Sequence, residues 1–220
     1  NSNIYNASAI NGVKKIIYVG TACSYPKSKQ SSYDNPPLKE DEIYPADPES
    51  SYGWSKLIGE YELNLLSKQF DIDTCILRLH NVYGPPCEID PKYSQVIPSL
   101  IRKAILYPKV EFEVWGSGKQ TRAFVYVDDV INGILLAMKK GFNHGAIQLG
   151  PNKSVSIKEV AEIICRISNK NIKINYDTTK NEGDKDRKAD FSKANKIISW
   201  IPKVGIEEGI ERTYSWIEKK

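Results

Sequence analysis

Two hydrophobic periods alternate along this chain: short unbroken apolar runs, and stripes recurring every three or four positions. Residues 15–19 (Lys-Ile-Ile-Tyr-Val) and 74–79 (Thr-Cys-Ile-Leu-Arg-Leu) lack alternation, as strands buried in a parallel sheet do. Ile4, Ala7 and Ile10 predict the end of a helix over 3–11, stopped by Gly12. After a long Pro-rich connection, Ser50 or Ser51 can cap a helix whose apolar face, Trp54, Leu57, Ile58, Tyr61 and Leu65, is expected to pack on the sheet.

Further along, residues 96–106 read as a helix and 111–115 as a short alternating strand, followed by a polar loop over 116–122. Residues 124–127 form a strand leading into a helix started by Asp128 and Asp129. Its expected inner face is Val130, Ile131, Ile134, Leu135 and Met138. Another strand spans 146–149. Ser156 with Glu159 forms a capping box before a helix lined by Val160, Ile163, Ile164 and Ile167. A strand over 172–176, a highly charged segment over 178–188 and two short helices around Trp200 and Trp216 finish the chain. Strands alternating with helices imply an α/β fold.

Composition narrows the function. The 220 residues are 40% hydrophobic and 26% charged, ordinary for a globular protein of one or two domains. No apolar run approaches the roughly 18 residues of a membrane span, and no signal-peptide pattern opens the chain, so a cytoplasmic location without membrane attachment is expected. Cys23, Cys75, Cys87 and Cys165 have no C-x-x-C spacing, which argues against a zinc site or a disulfide framework; no metal is expected. A net charge of +4 suits a phosphate-bearing small molecule and lacks the dense basic stripe of a nucleic-acid binder.

The candidate chemistry centres on Tyr52-Gly-Trp-Ser-Lys56, where a phenol and an ammonium share one helix face. A Tyr ordinarily keeps its proton to about pH 10, and a nearby cation favours the phenolate. Such a pair can take a proton from a sugar hydroxyl. Ligands of open α/β sheets bind beyond the carboxyl ends of strands, which favours Thr21 and Cys23 after the first strand and Asn81 after the second. No G-x-G-x-x-G loop is present; Gly116-Ser-Gly118 is a lone G-x-G.

Three stretches, Gly20-Thr-Ala-Cys-Ser-Tyr-Pro26, Tyr52 to Lys56 and Arg78-Leu-His-Asn-Val-Tyr-Gly-Pro85, together resemble the catalytic half of an extended short-chain dehydrogenase/reductase of the nucleotide-sugar epimerase/dehydratase family. The likeness continues through Trp115-Gly-Ser-Gly-Lys-Gln-Thr-Arg-Ala-Phe124 and Glu182 to Asp190, covering nearly the whole chain. Within the family, Cys23 two residues after a hydroxyl, with Tyr-Pro and Lys-Gln following, is similar to the GDP-mannose 3,5-epimerase and GDP-L-fucose synthase branches. The resemblance implies a Rossmann-like, doubly wound parallel sheet whose glycine-loop half is absent from this chain. Residues 1–85 would be its catalytic half, rejoined by about 124–150, and 86–220 mainly a smaller α/β substrate domain.

What the resemblance implies for the site follows position by position. Tyr52 would be the catalytic base, Lys56 would lower its pKa and bind the nicotinamide ribose of NAD, with NADP as the alternative, and Thr21 would hold the same hydroxyl. Thr21, Ala22, Cys23, Asn81, Gln95, Lys103, Trp115, Gln120, Arg122 and Arg187 would contact substrate. The two arginines offer planar forks for diphosphate oxygens. For Trp115 and Lys103 the alternatives of packing and of a solvated helix face stay open. Oxidation at C4 acidifies the C3 and C5 hydrogens, and Cys23 suits proton transfer there, since nearby positive charge brings thiols into working range near neutral pH; the alternative is a packing thiol. The partner acid/base of the family, a Lys or a His, is replaced by Gln95 and Val96, with Lys92 nearby. His80 is expected to be structural.

The leading expectation is an NAD-dependent GDP-sugar epimerase working as a homodimer. The alternatives are an NADPH-consuming epimerase-reductase, another nucleotide-sugar 4-epimerase or dehydratase, and a non-catalytic nucleotide-sugar-binding protein.

Overall fold

The computed structural model describes residues 1–220. Ten strands form in chain order: β1 (Lys15–Thr21), β2 (Asp73–Leu79), β3 (Asn81–Tyr83), β4 (Glu113–Trp115), β5 (Thr121–Arg122), β6 (Phe124–Tyr126), β7 (Ala146–Leu149), β8 (Val155–Ser156), β9 (Asn175–Asp177) and β10 (Asp186–Arg187). Seven α-helices accompany them: α1 (Ser2–Ile10), α2 (Ser51–Gln69), α3 (Val96–Leu106), α4 (Val127–Lys140), α5 (Ile157–Ser168), α6 (Ser192–Ile198) and α7 (Ile206–Glu218). The main sheet is parallel, in order β1-β2-β7, with Ile17 opposite Cys75 and Leu77 opposite Ile147.

Because strand side chains alternate, β2 sends Ile76 to one face and Cys75 and Leu77 to the other. Ile76 joins Tyr5, Tyr18, Leu63 and Leu66 under α1 and α2, while Cys75 and Leu77 join Val130, Ala137, Ile198 and Trp200 under α4 and α6. Helices on both faces make the sheet doubly wound. A larger cluster, in which Ile97, Ile101, Phe112, Ile164 and Ile210 are almost wholly buried, ties α3, α5 and α7 to the short strands of the second half. That half also holds a small mixed sheet, β10-β5-β8, which carries Arg122 and Arg187 on adjacent parallel strands.

Of the five residues expected on the inner face of α2, only Leu57 turns inward. Trp54, Ile58, Tyr61 and Leu65 are 41–56% exposed, and the stripe turned inward is Gly53, Leu57, Glu60, Leu63 and Leu66. Two terms outweigh the greater bulk of the outer stripe. Glycines let the helix close on the sheet: a Cβ at Gly59 would lie 2.3 Å from Tyr18 Oη. Glu60, which hydropathy would place outside, meets Arg78 of β2 through bidentate bonds of 2.8–3.1 Å, both side chains being almost fully buried. A buried charge without its partner costs several kcal/mol, so each requires the other. Glu60 and Tyr25 hold the Arg78 guanidinium far above its ordinary pKa against the opposing effect of burial.

The same correction applies to α4. Ile131, Leu135 and Met138 are exposed and Ile134 is half-buried, while Asp129, Val130, Gly133 and Ala137 face in. Asp129 is satisfied there by the N–H groups of Lys203 and Val204, both at 2.9 Å. In α1 the inward residue is Tyr5, with Ile4 and Ile10 outside. β1 is also less buried than its apolar run suggests, Val19 being 41% exposed. Several boundaries move as well. The strands expected over 111–115 and 172–176 are trimmed to β4 and shifted to β9, the polar loop over 116–122 ends in β5, and α4 starts at Val127 without a side-chain cap.

Candidate active site

The site is assembled where β1 ends and α2 begins. Thr21, the last residue of β1, accepts a hydrogen bond from the Cys23 N–H (3.2 Å), winding Ala22–Ser24 into a single 3₁₀ turn. Ser50 caps α2 by accepting from Gly53 N–H at 3.1 Å. Ser24 Oγ then donates to the Gly53 carbonyl (3.3 Å), joining turn to helix. Gly53 is required by space: a Cβ there would fall 2.2 Å from the Cys23 carbonyl oxygen. This contact sets Tyr52 beside the Thr21–Cys23 turn.

Lys56 lies one turn along α2. Its Nζ donates to the Val19 carbonyl at 2.9 Å and sits 6.0 Å from the centre of the Tyr52 ring and 5.4 Å from that of Tyr18. The ammonium is thus anchored at the end of β1, within range of the phenol it is expected to influence.

Thr21, Ala22, Cys23, Tyr52, Asn81, Gln95 and Arg187 line a cavity of about 520 Å³. Asn81 and Gln95 also line a second cavity, of about 490 Å³, with Lys103, Trp115, Gln120 and Arg122. Every expected contact residue therefore borders one of two spaces that share a wall. Lys56 borders neither and stands behind Tyr52. Lys103 is half-buried, its Nζ donating to the Glu113 carbonyl (2.7 Å), and burial lowers its pKa; it does not lie on a solvated helix face. Trp115 is 57% exposed at the rim, its Nε1 donating to Glu113 Oε1 (2.7 Å). The side-chain oxygens of Asn81 and Gln120 are buried without a partner, and buried polar atoms ordinarily have one. A ligand's hydroxyl or N–H groups could supply it.

The positive charge is concentrated on β5 and β10. Arg187 donates from Nη1 to Cys23 Sγ at 3.2 Å, from Nη2 to the Asp184 carboxylate and from Nε to Gln30 Oε1. Arg122 donates to the carbonyls of Thr121 (2.8 Å) and Asp184 (2.7 Å). Burial and then the neighbouring Arg187 hold Arg122 below its ordinary pKa. Glu49 is raised, chiefly by a hydrogen bond with Asp184. Both guanidiniums bond to Asp184, and one of them reaches the Cys23 sulfur, where the two cavities adjoin.

Other residues bear on the expected second acid/base. Gln95 and Val96 are on both cavity walls and cannot titrate. Lys92 does not line either cavity; its Nζ sits 5.1 Å from the centre of the Tyr93 ring. Sequence reasoning missed Cys87 and Glu88, which line the first cavity in a Pro-rich stretch read only as a crossing between halves. Glu88 Oε1 accepts from the N–H groups of Ile89 and Asp90, and burial pushes the Cys87 thiol up. Glu113 and Glu182, in the second cavity, were missed as well.

Fold and site define a doubly wound α/β protein with a Tyr–Lys pair and a thiol at the carboxyl ends of its parallel strands. The chain belongs to the NAD dependent epimerase/dehydratase family, whose family model matches residues 1–150. It is 33% identical over 218 residues to the GDP-mannose 3,5-epimerase of Arabidopsis thaliana, covering 99% of this chain and 57% of that protein. It is 30% identical over 226 residues to GDP-L-fucose synthase 1 of the same plant, covering 99% and 68%. Its backbone superposes on the UDP-glucose 4-epimerase of Thermotoga maritima, solved with UDP-glucose, with a TM-score of 0.88 at 27% identity, over 98% of this chain and 67% of that one. The chain spans a little over half the length of the curated GDP-mannose epimerases it matches.

His80 is buried on the wall of the first cavity, where it bonds to Gln148. Gln148 Nε2 donates to the carbonyls of Leu38 and Asp190, leaving Oε1 to accept from Tyr25 Oη (3.1 Å) and from His80 Nε2 (3.0 Å). His80 is therefore the Nε2–H tautomer. Burial lowers its pKa from 6.5 to about 4. A depressed His pKa means that the unfolded chain binds the extra proton, so the contribution to stability is complete above about pH 6.5 and is lost as pH falls towards 4. The span corresponds to about 3 kcal/mol. Urea unfolding from pH 7 down to 4 should show stability falling more steeply in wild type than in His80→Gln; parallel curves would show that the ring is not held neutral.

Proposed function

We propose that the protein is an NAD-dependent epimerase of a nucleoside diphosphate sugar, most closely of a GDP-sugar, acting through a 4-keto sugar. The observation that carries this reading is the junction of Tyr52, Thr21 and Cys23 with Arg122 and Arg187 across two adjoining cavities. The first space suits the hexose and the second the nucleoside, with the guanidiniums between them offering the diphosphate their charge and their remaining N–H groups. Asn81 and Gln120 supply acceptors for sugar and nucleoside donors. The relatives named for GDP-sugars favour guanine as the base.

The residues present fit the nicotinamide-ribose end of NAD: Lys56 Nζ is fixed at the end of β1 with Tyr52 alongside. No glycine loop for its pyrophosphate occurs among the 220 residues. NAD held there would supply oxidation at C4 of the sugar and its later reversal. Tyr52, as phenolate, takes the proton from the C4 hydroxyl and later gives it back. Lys56 favours the phenolate by its charge, and Thr21 orients the hydroxyl by hydrogen bonding. The Cys23 sulfur removes the proton on the carbon next to the carbonyl, with an Arg187 N–H stabilising the thiolate, and inversion follows when water reprotonates the enolate on its opposite face. Gln95 and Val96 cannot titrate, so the proton returned on that face comes from solvent and not from a second side chain. The division into a nucleotide-binding half and a substrate half remains part of this proposal, supported by the separate cores under the main sheet and around α3, α5 and α7.

The protein incubated with NAD⁺ and GDP-mannose in D₂O should incorporate deuterium at C3 or C5, as read by NMR. Cys23→Ala should abolish exchange, and Tyr52→Phe should slow it by roughly 10²–10⁴-fold. Exchange that survives in Cys23→Ala, or none in wild type, contradicts the reading.

We also propose a homodimer and a cytoplasmic location. The four free cysteines suit a reducing compartment, and no helix is long and apolar enough to cross a membrane. The exposed stripe Trp54, Ile58, Tyr61 and Leu65 along α2 is the surface a second copy would cover. Sedimentation should give twice the chain mass, and Ile58→Asp should give the monomer; a monomeric wild type removes the proposal.

A further inference from the structure

One buried side chain near the site takes no part in the chemistry above. Gln30 closes a short 3₁₀ turn, Lys27–Gln30, whose other three residues are exposed, yet its own side chain is 1% exposed. A Gln gains nothing from burial unless its amide is satisfied. Its Nε2 donates to the carbonyls of Tyr25 (3.1 Å) and Pro26 (3.4 Å), immediately after the turn that carries Cys23. The backbone is pinned too, since the Lys185 N–H donates to the Gln30 carbonyl at 3.0 Å. With both ends held, Oε1 has one direction left, and it accepts from Arg187 Nε.

That contact decides where the guanidinium points. A guanidinium is planar and its donors form a rigid fork, so fixing Nε leaves Nη1 and Nη2 no freedom within the plane. Nη2 meets Asp184, and Nη1 meets Cys23 Sγ at 3.2 Å. Asp184 by itself would favour the two-bond arrangement that carboxylates make with arginine. Adopting it would rotate the N–H away from sulfur.

We infer that Gln30 is a positioning residue for Cys23: by holding the plane of Arg187 it keeps one guanidinium N–H on the sulfur and thereby sets the reactivity of the thiol. The inference rests on the acid/base role proposed for Cys23, and Gln30 itself touches neither substrate nor cofactor.

The test reads the thiol without turnover. Iodoacetamide modification of the full chain is followed at each cysteine by mass spectrometry, from neutral to alkaline pH. Gln30→Ala should raise the pH midpoint for Cys23 by about one unit and slow its modification at neutral pH about tenfold. Arg187→Ala should do the same, and the double variant should shift no further, as two residues acting through one contact do. Cys75, 1% exposed, reports unfolding in the same digests. Should Gln30→Ala expose it, Gln30→Met, similar in volume but without the acceptor, is read instead. An unchanged midpoint, or additive shifts in the double variant, overturns the positioning role. Since no sugar is present, that failure is separate from a failure of the epimerase reading, which the D₂O exchange reports.

Discussion

Everything at the site depends on how closely α2 can approach the end of β1. The absent side chain of Gly53 lets the helix start press on the Cys23 carbonyl, and the Ser50 cap and the Ser24 bond hold it there. This places the phenol of Tyr52, the hydroxyl of Thr21 and the thiol of Cys23 around one space, with Lys56 locked behind them on the Val19 carbonyl. Lower on the same helix, Glu60 pairs with Arg78 inside the sheet. The contact is therefore fixed at two levels, by shape at the top and by charge below.

The second half of the molecule brings the cations. Parallel pairing of β5 and β10 sets Arg122 and Arg187 side by side, an arrangement that like charges resist. The Asp184 carboxylate and carbonyl offset that repulsion, and a diphosphate would offset it further. Two arginines already held side by side are what the diphosphate of the proposed substrate would require.

Part of this was legible in the sequence. The helix over 96–106 and the strand over 146–149 have the bounds read from hydrophobic period alone, because nothing tertiary competes with their patterns. The expected substrate contacts border two adjoining cavities and Lys56 stands behind Tyr52, since motifs at strand ends are placed by topology. The inward faces of α2 and α4 were not legible. There the buried positions include two glycines, Gly53 and Gly133, and two acids, Glu60 and Asp129, which serve close approach and partners on other elements. The link from Gln30 through Arg187 to Cys23 spans 157 and then 164 positions, and no local pattern encodes it. Cys87 and Glu88 were overlooked because prolines made their stretch look like a connection only.

The most direct measurement is protection of individual cysteines from alkylation by a saturating GDP-sugar in the presence of NAD⁺. Cys23 and Cys87 both line the first cavity, while Cys165 lies away from it on α5. Cys23 and Cys87 should become protected and Cys165 should not. Modification of Cys23 at an unchanged rate under saturating sugar nucleotide would contradict the proposed site, because the space between phenol, thiol and guanidinium would then not be where the substrate binds.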